Sequence, residues 1–482
     1  MANLALLVEE LLKKPTETEW LEFKLNNTNP ETIGENVCAI SNSATLHNHN
    51  YGYIIWGVDE DTHKILGTTF DWRKSRIGGE ELESWLRHNL SENANFHFES
   101  TNIFEKNIVV LQIYKAINST VKFKNIEYIR IGSYTKPLNK YPEIEKQIWN
   151  RINSAKFEDM YAKQDLTQND IINAFDYISY FDLLNKPIPD NAEGIVFYLA
   201  EEKMVEKQDD GLFAITNLGA LLFSKRIRDF DTVSRKSVRI IQYNGNDRTD
   251  TIREVTGQSG YASKFENMIE YILGLLPAKE EISGGLRKVE MLYPQIVLRE
   301  LIANALIHQD LSITGAGPMI EIFNGRVEIT NPGTPLIDTK RIIDVPPRSR
   351  NEKLSGFMHR VNICEERGSG WDKVEKFCEQ NRLPAPVINI YEDSTRVILK
   401  GIQTFKDIPL VEKIWSCYMH ACLKQVSGER MSNSSLRDRF GVPESNSAAI
   451  SKLMKMTEDE GLIKKFDPYT APRYMSYVPF WA

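Results

Sequence analysis

Residues 294–310 carry three polar side chains whose types and spacing suit a nucleotide site. Glu300, Asn304 and His308 recur at every fourth position of a predicted helix, so they stack on one face. Apolar side chains cover the other faces, which means that this polar stripe faces either water or a ligand cavity. A carboxylate can orient a water molecule, and an amide oxygen can ligate Mg²⁺. The stripe therefore predicts a magnesium nucleotide site, with a solvated helix face as the alternative.

Two glycine turns follow the stripe. Alternating apolar residues over 320–335 predict a hairpin, and this hairpin ends at Gly333. Beyond a polar, lid-like stretch with the letters RSRNEK, Gly368 and Gly370 precede another predicted helix. Glycines at such positions let backbone amides approach phosphate groups.

This order of helix, hairpin, polar segment and glycine turn resembles the GHKL ATPases, among them gyrase, histidine kinases, MutL and the heat-shock chaperones. It is most similar to the branch of RecG-like C-terminal ATPases. The resemblance implies that Glu300 activates water and that Asn304 ligates Mg²⁺. It implies an ATP site built from Asn304, His308, Asn331, Gly333, Gly368 and Gly370. Asn331 stands where most of the superfamily has an aspartate for the adenine amino group, and its oxygen can accept the same hydrogen bond.

The N-terminal region carries three separated motifs: ETEWLEFK at 17–24, AISNS at 39–43 and YIIWGVD at 53–59. Together with YIRIGS at 128–133 they resemble the Schlafen AlbA-like domain. The acids of the family's nuclease members fall here at Glu17, Glu22 and Asp59, with Glu60 as an alternate third acid. Three converging carboxylates could hold a divalent cation that polarises a phosphodiester. A solvated rim of acids would give the same sequence pattern.

The net charge of −7 would repel nucleic acid if it were spread evenly, so a nucleic-acid role needs local cations. In the last 70 or so residues, three predicted helices and a two-strand wing follow the winged helix-turn-helix order. The candidate phosphate-binding cations of both regions are Lys24, Arg130, Lys136, Lys452, Lys464, Lys465 and Arg473.

A chain of 482 residues is long enough for two to four domains. We predict an α+β multidomain fold: an AlbA-like Schlafen domain (1–145), a helical, winged-helix-like connector (146–235), a GHKL-type α/β sandwich (236–402) and a winged helix-turn-helix (408–482). The five cysteines lack a CxxC spacing, which argues against disulfides and zinc. The sequence contains no apolar run of membrane-spanning length, so we expect a cytoplasmic protein, and we expect a homo-oligomer.

Two functions are compatible with these features. The Schlafen resemblance implies a nucleotide-gated endoribonuclease that uses Mg²⁺ or Mn²⁺, acts on tRNA-like RNA in antiviral defence and has a possible ATPase activity. The alternative is an ATP-sensing DNA-binding transcriptional regulator without catalysis in the AlbA-like domain. The acid set Glu17, Glu22 and Asp59 separates the two, because a surface that only binds phosphates gains nothing from carboxylates without a cation between them.

Overall fold

The computed structural model describes all of the chain except residues 1, 15–17, 118, 155, 209–210, 277, 284–285, 292 and 365–369. The chain divides into two compact units. The first unit comprises Met1–Lys156 with Lys207–Leu212, and the second comprises Phe157–Glu206 with Phe213–Ala482. In the part of the chain described, no helix combines the length and the apolar character needed to cross a membrane.

The first unit is a small α/β structure. Its helices are α1 (Ala2–Leu12), α2 (Pro30–Leu46), α3 (Leu82–Asn89) and α4 (Pro142–Ser154). Its strands are β1 (Leu21–Lys24), β2 (Tyr51–Trp56), β3 (Arg76–Ile77), β4 (Glu80–Glu81), β5 (Phe96–Ile103), β6 (Lys106–Tyr114), β7 (Tyr128–Ile131) and β8 (Tyr134–Pro137). One sheet has the order β1-β2-β6-β5, in which β1 and β2 are parallel and the other pairs are antiparallel. The pairs β3-β4 and β7-β8 form separate hairpins.

Strand β2 lies inside this sheet and is buried on both faces. Its aromatic and β-branched residues favour an extended backbone. Ile54 and Trp56 point to a hydrophobic cluster that includes Val37 of α2, whereas Tyr53 and Ile55 point to a second cluster. The strand covers the letters YIIW of the YIIWGVD motif, residues 53–56.

The AISNS motif lies on α2 and has a structural role. The Asn42 side chain accepts a hydrogen bond from the Val121 amide at 2.8 Å and donates to the carbonyls of Val121 and Tyr128 at 3.0 and 2.9 Å. The Ser43 hydroxyl accepts from the Arg130 amide at 3.1 Å. These buried polar groups are satisfied only if the segment around residue 121 and strand β7 lie against α2, so the motif fixes the position of Arg130.

From residue 157 onward the chain contains eleven further described helices and thirteen strands. The helices are α5 (Gln168–Ala174), α6 (Tyr177–Leu183), α7 (Ala192–Glu201), α8 (Asn217–Phe223), α9 (Phe265–Leu275), α10 (Gln295–Ile307), α11 (Glu352–Arg360), α12 (Gly370–Gln380), α13 (Leu410–Val426), α14 (Asn433–Phe440) and α15 (Ser447–Asp459). The strands are β9 (Tyr161–Leu166), β10 (Val205–Lys207), β11 (Phe213–Thr216), β12 (Arg239–Tyr243), β13 (Thr251–Thr256), β14 (Ala278–Ser283), β15 (Leu286–Met291), β16 (Met319–Ile322), β17 (Arg326–Pro332), β18 (Val387–Ile390), β19 (Ser394–Lys400), β20 (Ile463–Lys465) and β21 (Tyr477–Pro479).

The main sheet of the second unit has six strands in the order β13-β12-β16-β17-β19-β18. Only β12 and β16 run parallel; the other neighbours are antiparallel. The hairpin predicted from alternating apolar residues over 320–335 is confirmed as β16-β17, and β18 and β19 form a second antiparallel hairpin. Helix α10 packs its apolar residues, such as Leu301 and Leu306, into the same core as Ile320 and Ile329 of the sheet.

The predicted connector shares that core. The Phe357 ring of α11 lies 6.2 Å from the Tyr180 ring of α6 and 5.4 Å from the Phe223 ring of α8, measured between ring centroids. A single hydrophobic cluster runs from Leu166 to Leu399. Residues 157–235 therefore fold together with the six-stranded sheet.

The C-terminal segment, residues 410–482 (hereafter the tail), has the predicted order of three helices and a two-strand hairpin. Ser432 and Ser435 form a capping box at the start of α14. Gly441 ends the helix with a φ of 65°, a left-handed conformation that favours glycine. The hydrophobic cluster of the tail also includes Ile343 and Ile408, which precede it in the chain.

Candidate functional site

The second unit contains a cavity of about 150 Å³ next to α10. Its walls come from α10, from strands β17, β18 and β19, from residues 334–350 and from the first residues of α12. The described polar and charged side chains that line it are Glu300, Asn304, His308, Asn331, Thr334, Thr339, Arg348, Arg350 and Thr395. A larger set of apolar side chains, including Ile342 and Val397, completes the lining.

All three residues of the predicted stripe, Glu300, Asn304 and His308 (hereafter the α10 stripe), line this cavity. The Asn304 Nδ2 atom donates to Glu300 Oε1 at 3.1 Å. Its Oδ1 atom is therefore the end of the amide that can ligate a cation. Burial, with a smaller effect of the Arg350 cation, lowers the pKa of His308 to about 4, so this imidazole is neutral at pH 7.

The start of α12 approaches the Glu300 carboxylate closely. A Cβ atom on Gly370 would lie 1.8 Å from Glu300 Oε1, so any larger residue here has to displace this carboxylate. The first amides of a helix lack intrahelical acceptors and carry a partial positive charge. This end of the cavity therefore combines a carboxylate with an anion-binding helix terminus. Gly368, the other predicted glycine of this turn, lies outside the described residues.

Another part of the cavity lining comes from β17 and β19. Asn331 and Thr395 are directly opposite in the register of these strands, and both line the cavity. The Asn331 Nδ2 atom donates to the Pro332 carbonyl at 3.2 Å, which leaves Oδ1 as the acceptor. The Thr395 hydroxyl donates to the Gly333 carbonyl at 2.7 Å. Gly333 has a φ of 95°, and a Cβ atom there would lie 2.6 Å from the Asp310 Cβ, so the turn requires glycine.

Sequence reasoning missed two groups of lining residues. Thr395 could not be found because its pairing with Asn331 spans two hairpins. Arg348 and Arg350 belong to the RSRNEK stretch, which the sequence analysis described only as polar and lid-like. Both line the cavity, and they supply the arginine or lysine side chains among the described lining residues. The Nη1 atom of Arg350 lies 3.5 Å from the His308 carbonyl oxygen, and Asn351 caps the end of α10 by donating to the Ile307 carbonyl at 3.0 Å.

Glu22 of the first unit is a buried carboxylate that already has two cationic partners. It is 5% exposed, its Oε1 lies 2.6 Å from Lys24 Nζ, and its Oε2 pairs with Arg130. Lys24 also contacts Glu60 at 3.0 Å. Arg130 is only 2% exposed, so the prediction that it binds nucleic-acid phosphates is not supported: its guanidinium serves the Glu22 carboxylate inside the fold.

Asp59 lies in an exposed turn after β2. Its Oδ1 accepts hydrogen bonds from the Thr62 hydroxyl at 2.6 Å and from the Thr62 amide at 2.9 Å, and these bonds lower the pKa of Asp59. Glu17 lies outside the described residues. The part of the chain described contains no group of three His, Cys, Asp or Glu side chains that could hold a metal ion. The metal site of Glu17, Glu22 and Asp59 stays a prediction.

The other predicted phosphate-binding cations lie at the surface. Lys136 is exposed beside the Tyr134 ring, at 5.5 Å from its centroid. In the tail, Lys465 is half-buried, whereas Lys452, Lys464 and Arg473 are exposed.

Comparison with known proteins supports the two resemblances. Residues 17–139 match the family model described as Schlafen, AlbA_2, and residues 315–399 match the model described as putative ATP-dependent DNA helicase recG C-terminal. The crystal structure of the DIP2311 protein from Corynebacterium diphtheriae aligns with 99% of this chain and 98% of its own, at 14% identity and a TM-score of 0.41. No curated protein matches the sequence. The chain thus joins a Schlafen AlbA_2 segment to an ATPase-like segment of the recG C-terminal type.

Proposed function

We propose that this protein binds ATP with Mg²⁺ in the cavity beside α10 and acts on nucleic acid through its first unit. The observation that supports nucleotide binding is the position of the α10 stripe. Its carboxylate, amide and imidazole line one cavity together with Asn331, Thr395 and the start of α12. The match at 315–399 covers the strands and turns of this site, although it begins after α10.

Two parts of the cavity lining suit two parts of a nucleotide. Asn331 offers an acceptor, and Thr395 lies opposite it on β19, which suits the exocyclic amino edge of adenine. The start of α12, beside Glu300, suits phosphate oxygens. Asn304 would hold Mg²⁺ through Oδ1, because its Nδ2 atom is bonded to Glu300. Glu300 would then orient water for any hydrolysis.

Isothermal titration calorimetry with ATP, ADP and a non-hydrolysable analogue tests this proposal. Asn304→Ala should weaken metal-dependent binding, whereas Glu300→Ala should keep binding and lose any hydrolysis. Asn381→Ala is a matched control, because Asn381 is an exposed asparagine beyond the end of α12. An absence of binding heat with all three nucleotides would contradict the proposal.

For the first unit, the Schlafen match supports a nucleic-acid-related function. The first candidate is a nuclease, for which we propose RNA as the substrate and antiviral defence as the biological role. The described carboxylates do not by themselves form a cation site, because Glu22 is neutralised by Lys24 and Arg130. This ion pairing favours the second candidate, an ATP-sensing DNA-binding regulator.

Incubation with total RNA, tRNA and duplex DNA, in Mg²⁺ or Mn²⁺ and with or without ATP, separates the two candidates. A nuclease cleaves RNA and loses cleavage in Asp59→Ala, while a regulator binds duplex DNA and cleaves nothing. Cleavage that survives in Asp59→Ala would reject the metal assignment.

A further inference from the structure

One wall of the nucleotide cavity is also part of the tail's hydrophobic core. This wall segment, residues 334–348, lines the cavity with Leu336 and Val345, among others. Ile343 of the same segment is buried in the tail's cluster. Ile342 does both, because it lines the cavity and packs against the tail's cluster. A movement of the wall segment therefore has to disturb the tail's core.

Polar contacts hold this wall segment from the tail side. The Tyr418 hydroxyl of α13 donates to the Lys340 carbonyl. The Arg341 guanidinium lies 5.6 Å from the ring centroid of Trp481, close to the C-terminal residue. Both contacts reach the short helical turn at Thr339–Arg341, and Thr339 itself lines the cavity.

The second wall, helix α12, is attached to the tail through buried charges. Its first residue, Gly370, lines the cavity beside Glu300. Further along the same helix, Glu375 Oε1 lies 3.5 Å from Arg439 Nη2 of α14, and Glu379 Oε1 lies 3.8 Å from Arg439 Nε. Glu379 Oε1 also lies 2.6 Å from His420 Nδ1 of α13.

These charges resist separation of α12 from the tail. Glu375 and Arg439 side chains are fully buried, and within the described residues their charged atoms have no hydrogen-bond partner, so the ion pair is their main compensation. Removing one partner from such a pair leaves an uncompensated charge in a medium of low dielectric constant. Sliding α12 away from α14 has the same effect, so α12 and the tail should move as one body.

We propose that Tyr418 and Arg439 are positioning residues of the nucleotide site, through which the tail sets the separation of the two cavity walls. This inference rests on the proposed nucleotide binding. Because binding linkage is reciprocal, a nucleotide that draws the walls together must also order the tail. The cations Lys452, Lys464 and Arg473 lie on that tail, so the nucleotide state would reach a phosphate-binding surface within one unit.

Calorimetry of the full chain with ATP and Mg²⁺ tests the positioning roles. Tyr418→Phe keeps the ring and removes the hydroxyl that bonds to the wall segment and that also interacts with Cys422 and Trp481 of the tail. It should weaken nucleotide binding about threefold to tenfold. Tyr477→Phe is the matched control in the tail and should bind like the wild type, because the charged and polar groups that act on its hydroxyl, Glu458, Lys455 and Cys417, lie outside the wall segment. Arg439→Met should weaken binding more, and Arg439→Lys, which keeps a cation beside Glu375, should restore part of the affinity.

Hydrogen–deuterium exchange tests the reciprocal effect without a substitution. Adding ATP and Mg²⁺ should slow amide exchange in α13 and α14, while α7, which lines neither the cavity nor the tail's core, should exchange at an unchanged rate. Wild-type affinity in both Tyr418→Phe and Arg439→Met, with circular dichroism showing folded proteins, would overturn the inference. Unchanged exchange in α13 and α14 at saturating nucleotide would also overturn it. A wild type that binds no nucleotide refutes instead the proposed function on which the inference depends.

Discussion

Replacing Gly370 with alanine should disable the phosphate end of the cavity while leaving the fold intact. The added Cβ would lie 1.8 Å from Glu300 Oε1, whereas real Cβ atoms essentially never approach another heavy atom within 3.0 Å. The Glu300 carboxylate therefore has to move by more than about 1 Å. It can do so, because it is the end of a flexible side chain on the surface of a cavity.

The size of the effect follows from this displacement. A catalytic group misplaced by about 1 Å costs roughly a factor of 100 in rate, so ATP hydrolysis by Gly370→Ala should fall by about that factor. The displaced carboxylate also releases its hydrogen bond from Asn304 Nδ2, but the affinity for the magnesium nucleotide should change little, as in Glu300→Ala, because Asn304 Oδ1 and not the carboxylate would hold Mg²⁺. Stability should not fall, because alanine favours a helix over glycine by about 1 kcal/mol.

Phosphate release and calorimetry measure the two effects. Gly356→Ala is the matched control, since Gly356 lies within helix α11 and a Cβ atom there would meet nothing within 4 Å. It should gain the same helix stability and keep wild-type nucleotide binding. If Gly370→Ala binds and hydrolyses ATP like the control, Glu300 does not act beside the phosphates, and the proposed orientation of the nucleotide in the cavity is wrong.

Three further results are expected. Burial lowers the pKa of His308 from 6.5 to about 4, so as the pH falls the unfolded chain takes up a proton at this imidazole before the folded chain does. The free energy of unfolding should therefore drop by at most about 3 kcal/mol between pH 6.5 and 4. Urea denaturation at several pH values measures this drop, and His308→Gln should flatten it. Glu22→Ala should lower the free energy of unfolding by about 3 kcal/mol, because buried Arg130 loses the Glu22 carboxylate. Glu60→Ala, which removes a contact of Lys24, should lower it by less than about 1 kcal/mol in the same denaturation assay. Joint replacement of exposed Lys464 and Arg473 by alanine should reduce the salt slope of duplex binding by about 2 in filter-binding titrations, and an unchanged slope would remove the tail from the nucleic-acid interface.

Local signals in the sequence predicted the elements around the cavity well. The apolar periodicity around the α10 stripe predicted a helix whose polar face meets water or a cavity, and these polar residues line a cavity. The alternating apolar residues over 320–335 predicted the β16-β17 hairpin. Such signals work because the hydrogen bonds of a helix or a tight hairpin join residues a few positions apart. The same holds for the capping box of Ser432, whose partner is three residues away.

Contacts between residues far apart in the chain could not be predicted from the sequence in the same way. The partners of Glu22 include Arg130, which lies more than 100 positions away, and only the fold shows that this acid is paired with a buried guanidinium. A carboxylate in a metal site and a carboxylate in a buried ion pair follow the same sequence rule, because both need flanking apolar residues to fix them. Thr395 and Asn331 illustrate the same limit, since strand register across β17 and β19 decides that they meet.

The boundary predicted near residue 408 shows why a segment with its own periodicity need not fold alone. Helices α13, α14 and α15 each have an apolar face, but their common cluster is completed by Ile343 and Ala385 from the preceding region. A chain cut before Leu410 would expose those apolar side chains and leave Glu375 without its Arg439 partner. Burial raises the pKa of Glu375 and the Arg439 cation opposes this rise, so loss of the arginine leaves the buried carboxyl without the charge that compensates it. Truncation should therefore damage the cavity walls themselves, which makes point substitutions such as Tyr418→Phe the sharper probe of what the tail does for the nucleotide.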